Sequence, residues 1–199
     1  ERLLSSPEFG VRWGRHWLDV AGYAESDGGT GSDTRRPNAW HYRDYVFESF
    51  NSNKPIDQFA RELVTAEGPL NELPAGQFYK SVGSPKDWAS TVSQVFLGVR
   101  IECAQCHHHP FEKWSQKDYY SFSAFFSTVG RKAGRNPGEE VIYHTRKVAQ
   151  TANKKDGGTV KATGLGDDPL DLTADDDPRH ALVDWMAQPN NRFFAHSYH

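Results

Sequence analysis

The chain is predicted to be mainly α, an irregular multi-helix domain with long loops and one short hairpin as its candidate β structure. Three observations predict this. Apolar residues spaced three and four apart recur along most of the 199 residues. Helix starts are marked by Ser6-Pro7, Pro37-Asn38, Pro55-Ile56, Ser84-Pro85 and Asp177-Pro178, since proline is favoured in the first helical turn. One stretch, residues 130–175, lacks that periodicity and is rich in Gly, Lys, Asp and Thr, the composition of a long polar loop.

The first helix is expected from Ser6-Pro7-Glu8 to about Tyr23. Its apolar stripe is Phe9, Trp13, Trp17, Val20 and Ala21, with His16 on the same face between Trp13 and Trp17. Residues 25–36 form a Gly-, Ser- and Asp-rich loop. The second helix runs to about Phe50, with Trp40, Val46, Phe47 and Phe50 inward. The third carries Ile56, Phe59, Ala60, Leu63 and Val64 on one stripe. Residues 67–83 are a connection punctuated by Gly and Pro. The fourth helix, with Trp88, Val92, Val95, Phe96 and Val99 inward, is expected to feed directly into residues 103–107. Ser115-Gln116-Lys117-Asp118 has the form of a capping box with Asp in place of Glu, ahead of a helix bearing Tyr119, Phe122, Phe125 and Phe126. Within 130–175, Val141-Ile142-Tyr143 is a candidate strand. The helix after Asp177-Pro178 turns Ala181, Leu182 and Trp185 inward, and Asn190 to Tyr198 begins another. No internal repeat is visible. Glu1-Arg2-Leu3-Leu4 resembles a helix interior, so residues 1–199 are expected to be a single domain cut from a longer protein.

The net charge of −3 carries no basic stripe of the kind that binds nucleic acid. The mean hydropathy of −0.74 and the lack of a run of roughly 18 apolar residues leave no membrane span in this segment. Aromatic content is high, with 6 Trp, 8 Tyr and 12 Phe, which suits a small core enclosing a large flat group.

Cys103-Ala104-Gln105-Cys106-His107 is a C-x-x-C-H run containing the only two cysteines of the chain. This is the attachment sequence of a c-type haem: two thioether bonds from Cys103 and Cys106, and His107 as the proximal iron ligand. On a helical turn Cys103 and His107, four apart, would share a face. Zinc held by Cys103, Cys106, His107 and His109 is a rival reading, and a disulfide between the cysteines is another. For the opposite face of the iron the candidates are His16, taken to be an imidazole on an apolar face where an unpaired polar group is costly, and more weakly Met186, the sole Met. His109-Pro110 is expected to make a turn with a hydrogen-bonded imidazole. Arg12, Arg15, Arg43 and Arg100 are candidate contacts of the haem propionates. Asp27, Asp33, Asp167, Asp168, Asp171 and Asp175 to Asp177 match no EF-hand spacing and are taken as a solvated acidic surface rather than a Ca²⁺ site. No G-x-S-x-G elbow follows a strand, so nothing favours nucleophilic catalysis. The fold is then expected to surround a covalent haem without being that of a small class I cytochrome c, where the attachment run lies near the N-terminus rather than mid-chain. Because haem c is attached outside the bacterial cytoplasm, the expected location is periplasmic or otherwise extracytoplasmic.

Several segments together resemble the planctomycete cytochrome c-like family DUF1549, or PSCyt2. They are Arg12-Trp13-Gly14-Arg15-His16-Trp17-Leu18-Asp19-Val20-Ala21, Tyr23-Ala24-Glu25-Ser26, Ala39-Trp40 with Tyr42-Arg43-Asp44-Tyr45-Val46, and Phe50-Asn51 with Lys54-Pro55-Ile56-Asp57-Gln58-Phe59. Val95-Phe96-Leu97-Gly98-Val99-Arg100, the C-x-x-C-H run, His109-Pro110-Phe111, Trp114, Asp118-Tyr119-Tyr120 and Ala124-Phe125-Phe126 follow, and the tail adds Asp177-Pro178-Arg179, Leu182, Asp184-Trp185 and Phe193-Phe194-Ala195. Gly22 stands where the family usually has Arg. The resemblance implies a largely helical, exported bacterial domain, usually followed in the same polypeptide by a DUF1553 (PSD1) domain. The function expected is extracytoplasmic electron transfer by a monohaem module serving a fused or partner catalytic domain, rather than a stand-alone enzyme. The alternatives are a haem enzyme or a gas- or peroxide-binding sensor with an open distal site, and a structural module with zinc or a disulfide at Cys103 and Cys106.

Overall fold

The computed structural model describes residues 1–26, 28, 33–81, 83–136, 139–153 and 157–197. The backbone groups into two compact units, Glu1–Ser81 with Lys132–Ile142, and Val82–Arg131 with Tyr143–His199.

The first unit contains α1 (Glu8–Val20), α2 (Trp40–Asn51), α3 (Ile56–Val64), the short strand β1 (Gly68–Pro69) and a 3₁₀ helix over Pro74–Ser81, so the 67–83 connection is partly regular. Residues 2–5 form a turn rather than a helix interior. The first helix stops short of Tyr23 because Gly22 adopts φ +67°, the left-handed conformation. The N–H groups of Tyr23 and Gly22 then donate to the carbonyls of Leu18 and Asp19 (2.9 and 3.2 Å), closing the helix end. Gly22, the departure from the family pattern, is thus a helix stop.

α1 packs on α2 through two glycines, and of the expected stripe Trp17 and the following Ala21 are buried. Gly10, Gly14, Trp17 and Leu18 are buried, whereas Trp13 and Val20 are 52% and 57% exposed. The expected stripe of Phe9, Trp13, Trp17, Val20 and Ala21 is thus split: Trp13 and Val20 turn away from the core, Phe9 is half-buried, and His16 is exposed with Trp13. The reason is the closeness of α2. A Cβ on Gly14 would lie 2.6 Å from Phe47 Cδ1, and one on Gly10 would run into the Phe47 carbonyl. Asn51 fixes this crossing: its Oδ1 accepts from the Gly10 N–H (2.7 Å) and its Nδ2 donates to the Pro7 carbonyl (2.9 Å). α2 turns Tyr42, Val46 and Ser49 inward, leaving Trp40 exposed and stacked on His41. The buried Trp17 Nε1–H donates to the Tyr42 hydroxyl (2.9 Å), so neither polar atom is orphaned. α3 buries Phe59, Ala60, Leu63 and Val64 as expected, with Ile56 at the edge.

The second unit opens with α4 (Pro85–Leu97), whose Ser84 N-cap accepts from the Asp87 N–H (3.3 Å). Trp88, Val92, Val95, Phe96 and Val99 are all buried, as the periodicity predicts. α4 does not continue into residues 103–107, because Gly98 at φ +66° ends it. The capping box is present at α5 (Gln116–Ser123): Ser115 Oγ accepts from the Asp118 N–H, and Asp118 Oδ2 accepts from the Ser115 N–H (2.7 Å). Tyr119, Phe122, Phe125 and Phe126 are buried behind it. The 130–175 stretch is more ordered than its composition predicts. β2 (Val129–Ala133) is followed by β3 (Glu140–His144), which contains the expected strand; its Val141 and Ile142 belong to the first unit, where they pair with Pro69 and Gly68 of β1. β4 (Gln150–Ala152) and β5 (Thr159–Lys161) form a second antiparallel pair. α6 (Pro178–Met186) and α7 (Arg192–Ser197) follow, and Ser197 Oγ donates to the Phe96 carbonyl at the end of α4 (2.7 Å).

The N-terminus of α6 holds a buried ion pair. Asp177 accepts from the Arg179 backbone N–H (3.0 Å) and from its guanidinium Nη2 (2.6 Å), and the Arg179 side chain is 0% exposed. Burial alone would raise the Asp177 pKa, but the hydrogen bonds and charge of Arg179 outweigh it and hold the carboxyl below its usual range.

Two expectations follow. Gly10→Val should lower stability by about 1–3 kcal/mol through overpacking, whereas Val20→Ala, on the face the sequence places inward, should change it by no more than about 0.5 kcal/mol in urea titration. Arg179→Ala strands a buried carboxylate and should cost about 3–5 kcal/mol. Because folding lowers the Asp177 pKa, the pair's contribution is complete above the unfolded value of about 3.9 and fades as pH falls through the folded value. Acid titration of the two proteins should therefore converge below that range.

Candidate functional site

The C-x-x-C-H run lies in the second unit, beyond the left-handed stop at Gly98. Glu102–Gln105 forms a 3₁₀ turn, and Cys106 and His107 follow as turn residues, so the α-helical i, i+4 arrangement expected for Cys103 and His107 is not formed. The two intervening residues are the anchors. Ala104 is 0% exposed. The Gln105 carbonyl accepts from Gln116 Nε2 (3.1 Å) and from the Tyr120 hydroxyl (3.2 Å), both on α5. Cys103, Cys106 and His107 face outward, and both thiols are free. Burial, and secondarily the proximity of Cys106, pushes the Tyr120 hydroxyl above the usual phenol range.

His107 Nδ1 lies 2.6 Å from the His108 carbonyl. A carbonyl only accepts, so Nδ1 carries the proton and the lone pair resides on Nε2. The following loop is closed on itself. The His109 N–H donates to the Trp114 carbonyl (2.8 Å), and His109 Nδ1 accepts from the N–H groups of Phe111 and Glu112 (3.3 and 3.0 Å). The expected turn with a hydrogen-bonded imidazole is present, and it carries Phe111 at its tip, 92% exposed.

These features bear on what the site can hold. Among the described residues no three His, Cys, Asp or Glu side chains converge closely enough to hold a metal ion, so the zinc set Cys103, Cys106, His107 and His109 is not assembled. Two accessible thiols and an accessible imidazole whose Nδ1–H is already donated do suit covalent attachment of haem, since an Nδ1–H to carbonyl bond fixes the tautomer that ligates through Nε2.

The remaining predicted residues are dispersed. His16 lies on α1 in the first unit, its ring 5.4 Å from that of Trp13; being exposed, it lacks the burial on which its candidacy as a ligand was argued. Met186 is 1% exposed in the core of the second unit. Arg12 and Arg15 are exposed on α1, and Arg43 on α2 pairs with Glu25 (3.2 Å) and Asp44 (2.9 Å). Arg15 and Arg43 line a first-unit groove of about 550 Å³ with Tyr23, Asp44 and Phe47. Of the four arginines only Arg100 shares a unit with the thiols. The acidic residues serve turns and caps: Asp167 accepts from Trp185 Nε1–H (3.0 Å), Asp171 pairs with Lys161 (2.8 Å), Asp176 accepts from Thr173, and Asp177 caps α6. Asp27 lies outside the described residues. Sequence reasoning missed Gln116 and Tyr120 as supports of the turn; the only signal was their place in the first two turns after the capping box.

Fold and site define a mainly helical protein with small antiparallel sheets that presents two thiols and an imidazole on one anchored turn. The model of the PSCyt2 family, described as a protein of unknown function (DUF1549), matches residues 1–131. The chain belongs to this family. No curated protein and no solved structure matches it. Among the described residues no helix is long and apolar enough to cross a membrane.

Both thiols of the haem-free, reduced protein should react with dithionitrobenzoate without denaturant. Gln116→Ala or Tyr120→Phe should leave two reactive thiols and lower stability by about 0.5–1.5 kcal/mol each. Slow, denaturant-dependent labelling of the wild type would contradict the outward orientation.

Proposed function

We propose that this domain carries one haem c, attached through Cys103 and Cys106 and ligated by His107, and that it transfers electrons outside the bacterial cytoplasm for a fused or partner catalytic domain. The observation that supports the reading is the outward presentation of Cys103, Cys106 and His107 above the anchored Ala104 and Gln105. The two thiols tether the group by thioether bonds. His107 offers Nε2 to the iron, and its Nδ1–H bond to the His108 carbonyl (2.6 Å) orients the ring and raises its basicity. When bound, the haem supplies a one-electron couple whose potential depends on the axial ligands, nearby charge and burial. The hydrogen bonds of Gln116 and Tyr120 to Gln105 hold the attachment turn against α5. The fused DUF1553-type partner and the periplasmic location rest on the family resemblance and on the extracytoplasmic nature of haem c attachment.

One observation favours the second reading, a haem domain that binds a gas or peroxide. Met186, the candidate second-unit ligand, is packed inside the core, and an iron left without a second protein ligand would accept a small molecule.

Protein made together with haem-attachment machinery should give one haem per chain by pyridine haemochrome, and Cys103→Ala with Cys106→Ala should abolish covalent attachment. For the electron-transfer reading, the reduced spectrum should be unchanged by CO at neutral pH; a rapid CO shift would replace it with the sensor reading. Absence of covalent haem in the wild type would overturn both.

A further inference from the structure

The second unit contains a cleft of about 480 Å³ lined by Lys113, Asp167, Trp185, Gln188, Arg192 and Phe193, among others. We propose that this cleft receives the anionic edge of the haem, and that Lys113 and Arg192 are the cations that hold its propionates. The inference rests on the haem reading above and changes which cations serve it.

The first argument is connection. The loop that starts at His107 ends on the cleft wall. The Trp114 carbonyl closes that loop by accepting from the His109 N–H (2.8 Å). The Trp114 ring packs on Phe193 (5.7 Å between centroids), and Lys113 Nζ sits 4.9 Å from the Trp114 ring centre. Iron ligand, loop and cleft thus belong to one packed piece of the same unit. Arg12, Arg15 and Arg43 belong to the other unit.

The second argument is charge. Lys113 and Arg192 are exposed and neither makes an ion pair among the described residues. The cleft also holds the Asp167 carboxylate, but its oxygens already accept from Trp185 Nε1–H (3.0 Å) and from the Asp168 N–H (2.9 Å). Two cations face one carboxylate in this lining, so its net charge is positive, and cations of this kind favour carboxylate ligands. The third argument is shape. Trp185 and Phe193 supply apolar wall, Gln188 supplies an amide, and the volume lies in the range of roughly 300–1,000 Å³ usual for small-ligand sites.

The test uses the haem-loaded chain. Lys113→Gln and Arg192→Gln should each lower the midpoint potential, and the double variant should lower it further, because losing a cation beside the propionates disfavours the added electron. Lys113→Arg should restore the wild-type potential. Lys147→Gln, which removes an exposed cation elsewhere in the second unit, should leave it unchanged. Haem content by pyridine haemochrome should stay at one per chain throughout. Potentials of the cleft variants equal to that of Lys147→Gln, with haem attached, would overturn the cleft assignment and leave the haem reading intact. Wild type without covalent haem would overturn the haem reading itself.

Discussion

The carbonyl of Gln105 accepts two hydrogen bonds from α5, and beside it Ala104 has no surface left to expose. That pair of residues decides what the rest of the site can do. A turn pinned at its two inner positions must point its outer positions away from the core, and those positions are Cys103, Cys106 and His107. The pinning depends in turn on α5 starting at the right residue, which the reciprocal bonds of Ser115 and Asp118 enforce. α4 ends at Gly98, so the run is presented by a short 3₁₀ turn and not by a continuous helix, on which Cys103, Cys106 and His107 would share one face. Local caps at two helix ends therefore govern the presentation of the thiols more directly than the hydrophobic core does.

What was legible in the chain follows from how local each signal is. Ser84-Pro85, the Ser115–Asp118 box and Asp177-Pro178 are decided within four residues, and each appears where the sequence places it. The Val141–Tyr143 strand was visible through its β-branched and aromatic run, but β4 and β5 were not, because their partners are brought together across an intervening loop and most of their side chains are polar. The orientation of α1 was misjudged for a physical reason. Periodicity counts apolar bulk and so passes over Gly10 and Gly14, which the close helix crossing buries together with Trp17 and Leu18 while Trp13 and Val20 stay outside. His16 stays outside with them. Arg179 shows the opposite failure: a charged residue is fully buried because its partner is two residues away and also caps the helix.

The chemistry of the site was more legible than its support. Spacing alone picked out Cys103, Cys106 and His107, and no feature of the fold is needed to see them. The roles of Gln116, Tyr120 and the closed loop through His109 required coordinates, since each is a hydrogen bond to a backbone atom and carries no side-chain pattern. The same holds for the acidic residues between Asp167 and Asp177. Composition shows a charged patch, while the structure shows caps, a pair with Lys161 and a bond to the Trp185 indole.

The path of the chain between the units carries one more consequence. Residues up to Arg131 lie in the second unit, Lys132–Ile142 return to the first, and Tyr143 re-enters the second. The family match ends at residue 131, at the point where the chain leaves the second unit and before Lys132–Ile142 return to the first. A polypeptide stopped at Arg131 would keep every residue of the attachment run, but Gly68 and Pro69 would lose the strand they pair with, and the wall built by Trp185 and Phe193 would be missing. Kinship here marks a shared segment, and both compact units draw on residues beyond it.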